Sequence, residues 1–126
     1  MIKILEGAAE NTIAIDIING YELADEQAVE KMFEEKIALG ITRINFLAKT
    51  DQISLNHSSW KAMWNDGLFA IKHIKKCGHI AIVGNSKLEE ILVKTDNAFF
   101  QSNKADRAEK YFDITDIDNA MGWANE

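Results

Sequence analysis

Thr12-Ile13-Ala14-Ile15-Asp16-Ile17-Ile18, a helical stretch from Asp25 to Gly40, and then Thr42-Arg43-Ile44-Asn45-Phe46-Leu47-Ala48 form the run that decides the fold. In the first piece Ile13, Ile15 and Ile17 alternate with Ala14, Asp16 and Ile18, the period of two that a strand imposes. From Asp25 the period lengthens. Val29, Met32, Phe33 and Ile37 share one helical face, Glu30, Lys31, Glu34 and Glu35 take the other, and Gly40 supplies a stop. A strand, a helix of this length and a second strand predict a parallel unit, since a parallel pair needs a long crossover.

Outward from this unit the pattern repeats. On the N-terminal side, Ile2 to Leu5 is a short apolar run ended by Gly7, and Ala8 to Asn11 is of hairpin length. The first strand is therefore expected as an antiparallel edge. On the C-terminal side, Trp60, Met63, Trp64, Gly67, Leu68, Ile71 and Ile74 keep helical spacing, with Ser58 or Ser59 as cap and Gly78 as close. His79 to Val83 reads as a fourth strand. Ser86-Lys87-Leu88-Glu89 is a capping box that opens a third helix bearing Leu88, Ile91, Leu92 and Phe99. Glu109 to Ile114 reads as a fifth strand, and Thr115-Asp116-Ile117-Asp118 caps a last helix with Ile117, Ala120, Met121 and Ala124 inward. The order ββαβαβαβα predicts one α/β domain over residues 1–126, with a mixed, mostly parallel five-stranded sheet and four helices.

Composition narrows the function classes. The net charge of −6 argues against nucleic acid as a general partner, which needs a dense basic surface. A local basic run, Lys72, His73, Lys75, Lys76 and His79, stands out and reads first as charge complementing the end of a helix. No stretch approaches the ~20 apolar residues of a membrane-spanning helix, and the opening residues are too short and polar for a signal peptide. With Cys77 the single cysteine, no internal disulfide can form, and a cytoplasmic location is expected.

Residues that carry chemistry do not assemble into a catalytic set. His73, Cys77 and His79 lack a fourth ligand for a metal site, so structural roles are expected and no cofactor is predicted. Val83-Gly84-Asn85-Ser86 has one glycine where a nucleotide loop needs several. Asp16, Asp51, Asp66 and Asp96 are scattered with no paired spacing, and His57 beside Ser58 sets no base against a nucleophile. The chain is expected to bind rather than catalyse. Aromatic and apolar residues carry that expectation: Trp60, Met63, Trp64 and Phe69, with Leu92, Phe99 and Phe100, make a candidate ligand-binding wall. Ile53 and Leu55 of the long loop Lys49 to His57, with Phe100, are candidate membrane contacts.

The stretch Trp60-Lys61-Ala62-Met63-Trp64-Asn65-Asp66-Gly67-Leu68-Phe69-Ala70-Ile71-Lys72-His73, then His79-Ile80-Ala81-Ile82-Val83, resembles the SpoIIAA-like proteins, bacterial domains related to STAS domains. Ile2-Lys3-Ile4-Leu5-Glu6-Gly7, the helix order and Phe99-Phe100 extend the resemblance over essentially the whole chain. It implies a SpoIIAA/STAS-type sheet under helices, similar in shape to lipid-carrying CRAL-TRIO domains. Two functions follow from it. The first is binding of an apolar small molecule or lipid, with transient association at the inner membrane surface. The second is a STAS-type protein-interaction module controlled by serine phosphorylation. The family's Asp-Ser-Ser site corresponds here to Asn56-His57-Ser58-Ser59, which has no acid directly ahead of the serines. Ser58 and Ser59 are thus read first as caps and second as phosphosites.

Overall fold

β2 (Thr12–Ile17) is buried along its whole length, and its neighbours explain why. It pairs antiparallel with β1 (Ile2–Ile4) and parallel with β3 (Ile44–Lys49). The computed structural model describes residues 1–51, 77–85 and 108–126. Within them β4 (Cys77–Gly84) and β5 (Ala108–Asp113) complete a five-stranded sheet in the order β1-β2-β3-β4-β5, with β3, β4 and β5 parallel. The expected mixed sheet with an antiparallel first edge is present.

Each face of the sheet has its own core. On one, Ile13, Ile15, Ile17, Ile44, Phe46, Ala48, Ile80 and Ile82 meet Val29 and Phe33 of α1 (Leu23–Ala38). The Phe33 and Phe46 rings stack with centroids 6.1 Å apart. The predicted stripe holds: Val29 and Phe33 are fully buried, and Met32 and Ile37 flank them. α1 begins where Asp25 accepts a hydrogen bond from the Glu22 amide, and two residues earlier than the sequence suggested. It ends in a Schellman turn. Gly40 takes φ of +87°, its amide donates to Ile37 O, and the Ile41 amide donates to Lys36 O. A glycine suits that left-handed position because it has no Cβ to strain.

The opposite face carries Ala14, Leu47, Ala81, Val83 and Phe112, covered by Ala120 and Ala124 of α2 (Ile117–Ala124). Alanine faces alanine across this layer, which lets the helix backbone lie close to the sheet. The alternation in β2 therefore marks two buried faces rather than one apolar and one polar face. α2 starts at Ile117 with Asp116 at its N-cap position, where the sequence suggested. A 3-10 turn, Ile114–Asp116, precedes it, and Asp113 caps that turn by accepting from the Thr115 amide and hydroxyl. Those two bonds hold the Asp113 carboxyl below the usual aspartate range. Asp116 instead accepts from the Asn119 side chain. Of the four predicted helices, the first and last are seen among the described residues. The second and third lie outside them.

The α2 layer is tied to the β1–β2 connection by Asn125, whose Oδ1 accepts from the Ala9 amide at 2.8 Å and whose Nδ2 donates to Gly7 O at 3.0 Å. Among the described residues no helix is long and apolar enough to cross a membrane.

Candidate functional site

At the carboxyl ends of β2 and β3 the apolar pattern is interrupted by charge. Asp16 and Lys49 are register partners on adjacent strands, and Asp51 follows directly beyond β3. Lys49 Nζ lies 3.4 Å from Asp16 Oδ2 and 2.7 Å from Asp51 Oδ1. Burial opposes the lysine charge. The hydrogen bond to Asp51 and the attraction of both carboxylates outweigh it, so the Lys49 pKa is raised. Thr50 between them is buried, and both its amide and its hydroxyl donate to Val83 O. The start of the connection from β3 to β4 is thus fixed to the end of β4. Sequence reasoning treated Asp16 and Asp51 as unrelated. The signal it missed was Lys49, which matters only once parallel pairing places it opposite Asp16.

The amino ends of the strands carry a second polar set. Register shifts between Ile44 and Phe46, so Asn45 stands opposite an extra residue of β4. Its Oδ1 accepts from the His79 amide at 2.9 Å, supplying the acceptor that the ladder lacks there. His79 stacks on Trp123, ring centroids 4.1 Å apart and planes 3° from parallel. Its Nδ1 sits 2.8 Å from Trp123 O. A carbonyl only accepts, so Nδ1 carries the proton. His79 therefore has the structural role the sequence favoured. Among the described residues no group of three or more His, Cys, Asp or Glu could hold a metal.

A protein-family model described as SpoIIAA-like matches residues 12–125. The chain belongs to the SpoIIAA-like family. No curated protein and no solved structure matches it. The mixed sheet with helices on both faces is consistent with the STAS-type fold that the resemblance implied. SpoIIAA-like membership points to a regulatory protein-interaction domain and offers no support for a lipid ligand.

The residues singled out from the sequence fall elsewhere in the chain. Trp60, Met63, Trp64, Phe69, Leu92, Phe99 and Phe100, the contacts Ile53 and Leu55, and Ser58 and Ser59 all lie outside the described residues. Of the residues weighed for a metal, His79 is described in full. What the structure does give for this SpoIIAA-like domain is the Asp16–Lys49–Asp51 cluster at the end of β3 and the Asn45–His79 junction near the start of β4.

Proposed function

We propose that this SpoIIAA-like domain is a regulatory module that works by binding a protein partner, with Ser58 and Ser59 as its phosphorylation switch. The observation that carries the reading is the family match over residues 12–125. Of the two functions the resemblance implied, the interaction module has the family behind it, and the apolar-ligand reading has no comparable support. In sequence, Ser58 and Ser59 lie between β3 and β4. A phosphoryl group there adds roughly −1.5 to −2 charge and changes what a partner meets.

The test is a phosphopeptide map of the protein isolated from cells, paired with partner binding by the S58E/S59E and S58A/S59A variants. The expected result is modification at one of the two serines and a partner affinity that differs ~10-fold or more between the variants, about 1.4 kcal/mol. Unmodified serines and equal affinities would remove the switch. Native mass spectrometry that finds a bound lipid and no protein partner would return the apolar-ligand reading to first place.

A further inference from the structure

On the sheet face that α2 covers, Arg43, Asn45 and Leu47 follow one another at two-residue spacing, as do His79 and Ala81, and Lys110 and Phe112. Leu47, Ala81 and Phe112 lie under the helix. His79 and Lys110 lie against the indole of Trp123, and Arg43 lies against Gly78, the residue before His79. Arg43 and Lys110 are exposed, and neither makes an ion pair among the described residues. Lys110 Nζ stands 5.0 Å from the Phe112 ring centroid and 5.9 Å from that of Trp123. Arg43 lies against Gly78 so closely that a Cβ there would fall on its Nε and within 2.8 Å of Asn45 Oδ1. The absence of a side chain at Gly78 thus lets the arginine sit beside His79. His79 commits Nδ1 to Trp123 O and leaves Nε2 as its remaining polar atom.

Two exposed cations, Arg43 and Lys110, flank the stacked His79–Trp123 pair in a chain of net charge −6 and form a local field opposite to that of the molecule. We propose that the amino ends of β3, β4 and β5 form a docking surface for an acidic segment of a protein partner, seated on Arg43 and Lys110 on either side of the His79–Trp123 stack. The proposal rests on the interaction-module reading and adds the chemistry of the partner. Charge complementarity selects a carboxylate-rich peptide. Arg43 donates from a planar fork, and among the described residues Lys110 stands over the aromatic pair rather than against a carboxylate. A nucleic acid would need a longer basic track than two cations offer.

The experiment is an NMR titration of the full chain with an acetylated hexaglutamate peptide at physiological salt. Perturbation of the Trp123 indole and of the Arg43, His79 and Lys110 amides is expected. R43E/K110E should weaken binding ~10-fold or more, as loss of charge-assisted contacts implies. K3E/K31E, the same charge change on β1 and α1, should leave binding within about twofold. R43Q/K110Q repeats the test without like-charge repulsion, should the first variant fold poorly. Equal losses in the two glutamate variants, or shifts that avoid Trp123, overturn the surface. So does tighter binding of a single-stranded oligonucleotide, or a dimer that R43E/K110E dissociates. A natural partner held equally by wild type and R43E/K110E overturns this inference and leaves the module reading intact. Peptide binding at the surface with no protein partner found in cells sinks the module reading alone.

Discussion

Single side chains repair the places where backbone geometry departs from the ideal. Asn45 is fully buried, its amide donates to Asn11 O, and its Oδ1 takes the His79 amide left over by the register shift. Asn45→Ala leaves that amide without an acceptor. A loss of ~1–3 kcal/mol in denaturant unfolding is expected, with faster hydrogen exchange at His79; unchanged exchange would mean that water replaces the side chain freely. Tyr21 shows the opposite case. Its hydroxyl is buried and finds no partner among the described residues. Burial first, then Glu26, Asp25 and Glu30, raises its pKa above the ordinary value. The folded state thus holds the phenol proton more tightly than the unfolded chain. That contribution is complete below the unfolded value near pH 10 and is lost as pH rises beyond it. Tyr21→Phe should be neutral or gain up to ~1 kcal/mol at pH 7, and should lose less stability than wild type on moving to about pH 10.5. A clear loss at pH 7 would show that the hydroxyl has an acceptor after all.

At the scale of elements, how a helix meets the sheet decides which substitutions are tolerated. α1 seats Val29 and Phe33 on broad isoleucine-rich packing, whereas α2 sits on Ala14 and Ala81 through Ala120 and Ala124. Ala120→Leu has no room to enter and should cost ~1–3 kcal/mol by overpacking, read as a lower thermal midpoint with loss of the His79–Trp123 contact in NMR. An unaltered midpoint would mean that α2 can lift from the sheet at no cost. The α1 layer was legible in the sequence because one helix with a clear apolar stripe declares its own face. The α2 layer was less so. Asp16 and Ala14 look like a solvent side until Lys49 and a close helix are supplied from far along the chain. The 3-10 turn before the last helix was not foreseen: Asp113 caps that turn, while Asp116 holds the helix's N-cap position without a side-chain cap bond. No local pattern distinguishes an α-helix that begins at once from one that begins a turn later. The aromatic site was chosen from residues 53 to 100. The polar residues that the sheet does bring together come from β2, β3 and β4, and only pairing makes them neighbours.

For the whole molecule, β3 and β4 contribute to both cores and are flanked by paired strands on each side. β1 is short, pairs on one edge and exposes Ile4. Opening the central strands breaks both layers at once, so native-state hydrogen exchange should be slowest at Phe46 to Ala48 and Ile80 to Ile82, and fastest in β1. Equal protection in β1 would require that edge to be covered in solution. The run from β2 to β5 advances across the sheet in one direction, each strand beside the one before it. Open α/β sheets that take up small molecules do so where the strand sequence reverses and two neighbouring loops part to leave a crevice. Among the described strands the order never turns back on itself, so they form no such crevice, and recognition by them falls to their rims and to the side chains that stand along them.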